Sequence, residues 1–121
     1  MVENQDLKVR TKQFALQMIR LYTSLPKTME AQVIGKQILR SGTSVGAQYR
    51  EAQRAKSDAD FINKIEGSLQ ELDETVYWLE LLKDSGMFSA EKLNPPLKET
   101  DELIAILVTI VKKVKNKRTS H

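Results

Sequence analysis

Residues 62–82, INKIEGSLQELDETVYWLELL, decide the fold of this chain. Apolar residues recur within this stretch at alternating steps of three and four positions: Ile62, Ile65, Leu69, Leu72, Val76 and Leu79. This seven-residue repeat is typical of a helix that packs along one seam against neighbouring helices. Ser57 and the acidic residues after it favour a helix start, and Ser85-Gly86 favours its end. The stretch therefore predicts one long amphipathic helix.

Three other segments have helical spacing, and none alternates as a strand would. Helices are predicted over residues 6–24, over 29–54, and from 97 or 100 to 115, with the prolines of the 25–27 and 94–96 segments between them. Four antiparallel helices joined by short connections predict an all-α, up-down-up-down four-helix bundle. We expect residues 1–121 to form a single domain, with the last six or so residues frayed.

The second predicted helix contains Gly35, Gly42 and Gly46, although an interior glycine costs about 1 kcal/mol relative to alanine. Two explanations remain open at this point. The missing side chains let a neighbouring helix approach closely, or the helix breaks near residues 41–44. We favour close packing, because it compensates for the cost of the glycines.

The residue inventory excludes several classes of protein chemistry. The chain has no cysteine, and its one histidine is residue 121, so thiolate chemistry, structural zinc and histidine-based catalysis lack residues. The carboxylates of the third helix lack the Glu-x-x-His partners of di-metal bundles. We therefore expect no enzymatic activity, metal, cofactor or small-molecule substrate. We also expect a cytoplasmic protein without membrane contact, because no signal peptide or spanning segment is visible.

Charge is segregated along the chain. Residues 1–56 carry 10 basic and 4 acidic groups, residues 57–104 carry 4 and 12, and residues 105–121 carry 5 and none. Such asymmetry predicts either a basic surface for an anionic partner or complementary faces within an oligomer. The candidate contacts to RNA or DNA phosphates are Arg50, Arg54, Lys56, Lys112, Lys113 and Lys115. Solvated helix faces, with cations complementing a helix dipole, are the alternative.

The last predicted helix is apolar on nearly every side between residues 103 and 111. In a four-helix monomer this pattern would leave apolar surface in water, so it predicts a subunit interface. The residues expected there are Ile104, Leu107, Val108 and Val111. A central strand is the alternative for these mostly β-branched residues, but the chain offers no partner strand.

Residues 40–52, RSGTSVGAQYREA, together with Asp60-Phe61 and the 74–80 stretch ETVYWLE, resemble the bacterial ribosomal RNA intervening-sequence proteins. The resemblance covers most of the chain. It implies a four-helix bundle that assembles as a barrel-like homopentamer, and a relation to the accessory variability determinant of diversity-generating retroelements. That retroelement protein binds nucleic acid and a reverse transcriptase through basic surface, whereas most intervening-sequence members have no established activity.

The resemblance also implies a polar network on the two central helices. Its positions here are Arg40, Ser44, Gln48, Glu51, Ser68 and Glu71. Many relatives carry asparagine where this chain has Gln48. We expect a buried network in which Arg40 bonds a carboxylate such as Glu51 or Glu71 and fixes helix register.

Together these observations predict a non-enzymatic, homo-oligomeric bundle, pentameric by resemblance, that binds structured RNA or DNA. The alternative is an interaction scaffold whose acidic third helix docks a basic protein partner such as a polymerase.

Overall fold

A computed structural model describes the backbone of residues 2–119 and the side chains of residues 7–117. It consists of four helices: α1 (Val2–Ser24), α2 (Met29–Gln53), α3 (Asp58–Asp84) and α4 (Ala90–Thr119). No strand occurs in the described part of the chain. The prediction of an all-α four-helix bundle is confirmed. Helix α4 extends to Thr119, and residues 120 and 121 lie outside the described residues; fraying of the last six or so residues stays a prediction.

Side-chain caps mark the starts of α2 and α3, and a glycine follows the end of α3. Thr28 Oγ1 accepts a hydrogen bond from Ala31 N at 3.3 Å at the start of α2, and Ser57 Oγ accepts one from Asp60 N at 3.0 Å at the start of α3. Each bond satisfies a backbone donor that has no partner within the helix. Beyond α3, Gly86 adopts a φ of 74°, which glycine reaches without steric cost.

The start of α4 differs from the predicted one. The helix begins at Ala90, and Pro95 and Pro96 lie inside it instead of in a turn before it. Proline lacks the N–H for one helical hydrogen bond, but here the carbonyls left without that donor belong to the exposed residues Glu91 and Lys92, where water reaches them. Leu93 and Pro96 are buried, and this burial favours the helical path.

The glycines of α2 mark close packing, and the helix continues unbroken through residues 41–44. A Cβ atom at Gly35 would lie 2.6 Å from Leu25 Cδ1, and one at Gly46 would lie 3.1 Å from Thr11 Oγ1. A Cβ at Gly42 would overlap Met18 Cγ. The three glycines therefore form the surface on which α1 lies, and the expectation of close packing is confirmed.

Each of the four helices contributes the side chains of one face to the core. Of the four pairs of neighbouring helices, α2 and α3 pack most extensively and α1 and α4 least. Among the largest fully buried side chains are Phe14 and Met18 of α1, Tyr49 of α2, Leu72 of α3 and Leu107 of α4. The seam predicted for α3 is buried at Ile62, Ile65, Leu72 and Leu79, while Leu69 and Val76 are half-buried at its edge.

Gly42→Ala is expected to lower the free energy of unfolding by about 1–3 kcal/mol, because the added methyl group overlaps Met18 in a filled core. Urea denaturation of the variant measures the change. In a Met18→Ala background the same substitution should cost much less, since the overlapping side chain is gone. An equal cost in both backgrounds would contradict the packing explanation. Ala47→Gly, at an exposed position of the same helix, measures the difference in helix propensity between alanine and glycine, which is about 1 kcal/mol.

Candidate nucleic-acid interface

The six predicted phosphate-binding residues lie in the same end region of the bundle. In an antiparallel bundle the C-termini of α2 and α4 are adjacent to the N-termini of α1 and α3. Two ion pairs show how the helices are aligned along the bundle axis. Lys64 Nζ lies 3.1 Å from Glu51 Oε1, and Lys115 Nζ lies 3.5 Å from Glu66 Oε2. These pairs place the C-terminal turns of α2 and α4 at the same height beside the start of α3. The predicted residues in this region are Arg50, Arg54, Lys56, Lys112, Lys113 and Lys115.

These six cations do not form one uninterrupted surface around α3. Asp58 and Asp60 occupy the first turn of α3, and Glu66 takes Lys115 into an ion pair. Acidic groups therefore separate the α2 cations from the α4 cations on this side of the bundle. The other five predicted cations are exposed and form no ion pair with any residue the structure describes.

On the opposite side, α1 joins the two groups of cations. Thr11 lies against the position of a Cβ at Gly46, so Lys8 and Arg50, each one turn nearer the end, lie at the same height. Lys8 and Lys12 of α1 are exposed and, within the described residues, without an ion pair.

The side of α4 that faces α1 contributes a further cation. Glu99 and Glu102 of α4 both bond Arg10 of α1, and Lys113 follows Glu102 by three helical turns, which places it on the same side. We call the resulting surface the basic face. It consists of Lys8, Lys12, Arg50, Arg54 and Lys113.

The reasoning from sequence missed Lys8 and Lys12. The available signal was the stretch of residues 7–29, which contains five basic residues and no acidic one. The charge count over residues 1–56 combines α1 with α2, so the excess of basic residues on α1 is not visible in it.

The polar network is centred on Glu71. Arg40 bonds Glu74, and its Nη1 lies 3.6 Å from Glu71 Oε1. Gln48 Nε2 makes a long hydrogen bond of 3.5 Å to Glu71 Oε2, and the Gln48 side chain fills the space beside Gly67. Ser68 Oγ donates to the Val45 carbonyl at 2.9 Å, which links α3 directly to the α2 backbone.

The predicted contact of Arg40 with a carboxylate is confirmed at Glu71. Glu51, the other carboxylate considered, has an exposed side chain that pairs with Lys64. Two other features of the predicted network are wrong. Ser44 donates to the Arg40 carbonyl of its own helix at 2.7 Å and does not reach α3. Arg40 itself is half exposed, so the network lies at the rim of the α2–α3 contact instead of within it.

The buried polar contact between α2 and α3 is a pair of hydroxyls that the sequence did not identify. Thr75 Oγ1 donates to the Glu71 carbonyl at 2.8 Å, so the proton between Ser41 and Thr75, whose oxygens are 2.8 Å apart, comes from Ser41. Both side chains are fully buried. The sequence signal was the small side chain of Ser41 on the packed stripe of α2.

Burial raises the pKa of the Glu71 carboxyl above its usual range, and repulsion by Glu74 adds to the rise, while Arg40 acts in the opposite direction. Glu71 Oε1 is buried and has no hydrogen-bond donor among the described residues. The ionised carboxylate is therefore poorly compensated at this position.

The predicted subunit interface is partly internal to the chain. Leu107 and Val111 are buried in the core of the single bundle, so their assignment to the surface of α4 is wrong. Ile104 and Val108 are half-buried. The apolar residues on both sides of the α4 seam are partly buried, because α4 packs against α3 on one side and α1 on the other. The large apolar residues exposed in the described region lie elsewhere: Val9, Leu16, Ile19, Met29, Val33 and Tyr77.

Arg10 of α1 holds the open seam between α1 and α4. Its guanidinium makes two hydrogen bonds to Glu99, of 2.9 and 2.8 Å, and a third to Glu102 of 2.8 Å. These carboxylates raise the pKa of Arg10 further above its already high value. The forked contact compensates for the limited helix packing at this seam.

No group of three potential metal-ligating side chains close enough to hold an ion occurs among the described residues. None of the four helices, as far as they are described, has an apolar stretch sufficient to cross a lipid bilayer.

The fold and the charge distribution define a small all-α bundle protein with a basic end. The sequence profile of the 23S rRNA-intervening sequence protein family matches residues 3–109, and the chain belongs to this family. The family expected from residues 40–52 is thereby confirmed.

A solved structure supports the same assignment. It is the crystal structure of a protein with unknown function from the S23 ribosomal protein family of Bacteroides thetaiotaomicron VPI-5482. The two chains are 40% identical with a TM-score of 0.84, and the match covers 90% of this chain and 97% of that one. No curated protein matches the chain.

Glu71→Gln is expected to stabilise the protein at neutral pH and to flatten the dependence of its stability on pH. Because the folded-state pKa is raised, the contribution of Glu71 is fully present below the unfolded-state value of about 4.3 and is lost as pH rises through the folded-state value. Thermal denaturation between pH 4 and 7 measures both effects.

Arg40→Met provides the matched test of that prediction, since it removes the cation that favours ionised Glu71. It should destabilise the wild-type background at neutral pH more than the Glu71→Gln background. Identical costs in the two backgrounds, together with an unchanged pH profile for Glu71→Gln, would contradict the assignment.

Proposed function

We propose that this protein is a non-enzymatic, homo-oligomeric bundle that acts in the bacterial cytoplasm and binds structured RNA or DNA through the basic face. The observation that carries the proposal is the convergence of five exposed cations from three helices on one side of one end. Within the described residues none of the five has an acidic partner. Phosphates would supply the missing counter-charge.

The internal ion pairs strengthen this proposal, because the chain pairs its cations selectively. Arg10, Arg40, Lys64 and Lys115 are each paired across helices. The pairs of Arg40, Lys64 and Lys115 are largely exposed and contribute little free energy, whereas the forked Arg10 contact is partly buried; all four identify cations that have a structural partner. The cations of the basic face belong to the set that is unpaired within the described residues, as other exposed cations such as Lys27 and Lys98 do, and what distinguishes them is their shared position at one end of the bundle.

The predicted residues Lys56, Lys112 and Lys115 have a secondary role in this proposal. Lys56 lies in the turn between α2 and α3, and Lys112 is on the α4 side nearer α3. They border the basic face and add to the field that attracts a polyanion. Lys115 is paired with Glu66, so a phosphate would have to compete with that carboxylate for it.

For assembly we propose a ring of copies, pentameric as the resemblance implies, joined through exposed apolar side chains of α2 and α3. A ring requires two different patches on each chain. Met29 and Val33, one turn apart on α2 and 78% and 56% exposed, form the first patch. Tyr77 of α3, whose ring packs against Trp78 at a centroid distance of 5.0 Å, is the centre of the second. Ile104 and Val108 would border this contact from α4.

The alternative function is an interaction scaffold, and α3 carries the observation in its favour. Its exposed residues Asp73, Glu80 and Asp84 form no ion pair within the described residues. They offer an acidic surface to a basic protein such as a polymerase. The proposed relation to the accessory variability determinant of diversity-generating retroelements unites the two functions, since that protein binds both kinds of partner.

Arg50→Glu/Arg54→Glu is expected to abolish high-affinity binding to a labelled structured RNA, measured by fluorescence anisotropy at 50 mM salt. For the wild type, five phosphate contacts predict a loss of affinity of about 500-fold between 50 and 200 mM salt. Lys27→Glu/Lys98→Glu makes the same change in net charge in the opposite half of the bundle and should retain most of the affinity. Both positions of each variant are exposed, and circular dichroism checks that the helices persist.

Equal losses in the two charge-reversal variants would show that net charge alone governs binding and would contradict the basic face. No binding of the wild-type protein to RNA or DNA at 50 mM salt would favour the scaffold. Capture of a basic polymerase that depends on Asp73, Glu80 and Asp84 would then establish that alternative.

Val33→Glu is expected to reduce the mass of the assembly while leaving its helical content intact, because a charge enters an apolar contact between copies. Light scattering after size exclusion distinguishes one 13.8 kDa chain from five, about 69 kDa. Gln53→Glu, an exposed change on the same helix, is the control. Leu107→Asp should instead unfold the chain, since Leu107 is in the core. An unchanged mass for Val33→Glu would refute the α2 contact.

A further inference from the structure

The basic face carries charge without a surface on which bases could stack. Proteins that hold single-stranded nucleic acid combine cations with exposed aromatic side chains, because each unpaired base gains stacking energy there. Near the basic face, Phe14 and Tyr49 are 1% exposed, and Phe61 is half-buried against the core on the α3 side. The exposed aromatic ring in the described part of the chain is Tyr77, which lies on α3.

The cations of the basic face are also spread across three helices. Axes of packed helices are about 8–10 Å apart, so α2 and α4, diagonal across the bundle, are separated by about 11–14 Å or more. Arg50 and Arg54 lie on one side of this span, Lys113 lies on the other, and Lys8 and Lys12 lie on α1 between them. The span is comparable to the width of about 12 Å of the major groove of B-form DNA, and in A-form RNA the wide groove is the shallow minor groove.

The positions of these cations are fixed by the bundle. The close contact of Thr11 with Gly46 holds α1 and α2 in register, and the Arg10 bonds to Glu99 and Glu102 tie α1 to α4. Because the bundle fixes the backbone positions of the cations, a ligand whose phosphates are equally fixed needs less ordering on binding than a flexible one, although the lysine and arginine side chains lose rotamer freedom with either ligand. A double helix provides two such rows of phosphates, whereas a single strand must be ordered first.

We propose that the ligand of the basic face is the paired phosphate backbone of a double helix, held across a groove and without reading of base sequence. This inference rests on the proposed function and specifies its ligand. RNA and DNA duplexes both present a paired phosphate backbone, and an RNA hairpin or a DNA hairpin could supply it.

The test compares four labelled probes with equal numbers of phosphates: an RNA hairpin, a DNA hairpin of the same sequence, oligo-U and oligo-dT. Binding to the intact protein is measured by anisotropy at 100 mM salt. We expect at least one hairpin to bind about 10-fold or more tightly than both single strands. Scrambling the paired sequence of that hairpin should leave its affinity within about twofold. The hairpin that binds more tightly identifies the natural backbone.

Two variants connect the result to the surface. Arg50→Glu/Arg54→Glu should remove the preference for hairpins, and Lys27→Glu/Lys98→Glu, in the opposite half of the bundle, should retain it. Single strands that bind as tightly as the hairpins, or a preference for hairpins that Arg50→Glu/Arg54→Glu leaves unchanged, would overturn the inference while the proposed function stands. Failure of all four probes to bind at 50 mM salt would overturn the proposed function itself, and this inference with it.

Discussion

The close approach of α2 to its two neighbours is the constraint on which the rest of the structure depends. Gly35, Gly42 and Gly46 accept side chains of α1 and of Leu25 just after it; a Cβ atom would overlap them at Gly35 and Gly42 and would be tightly packed at Gly46. On the α3 side, Ser41 and Thr75 share a buried hydrogen bond that few pairs of side chains could replace at that separation. Small residues thus set both interhelical distances of α2, and they set the relative heights of α1, α2 and α3 as well.

Those heights determine the electrostatics of the molecule. Because α1 lies in register with α2, Lys8 of its acid-free stretch falls beside Arg50 of α2, and one side of the bundle becomes basic. The acidic residues of α3 lie on the opposite side. Cross-helix ion pairs of Arg10, Arg40, Lys64 and Lys115 consume part of the charge locally. The remaining charge forms two faces of opposite sign, which suit an external polyanion and a basic protein respectively.

The sequence predicts the fold because periodicity, caps and breaks agree in each segment. The sequence does not predict the start of α4 correctly, because the burial of Leu93 and Pro96 outweighs the local preference of the prolines for a turn. It also fails at Leu107 and Val111, because an all-apolar helix pattern does not reveal which side a neighbouring helix will cover. Lys8 and Lys12 were missed for a related reason: surfaces formed by several helices depend on register, which short-range spacing does not encode.

We propose that nucleic acid binds on the α1 side of the bundle end and does not contact α3. Amide chemical-shift mapping of the isotopically labelled protein, titrated with an RNA hairpin, tests this residue by residue. The account predicts that the largest shifts occur at Lys8, Lys12, Arg50, Arg54 and Lys113, with those of Asp73, Glu80 and Asp84 unchanged. Shifts concentrated on α3, or spread evenly over the four helices, would contradict it.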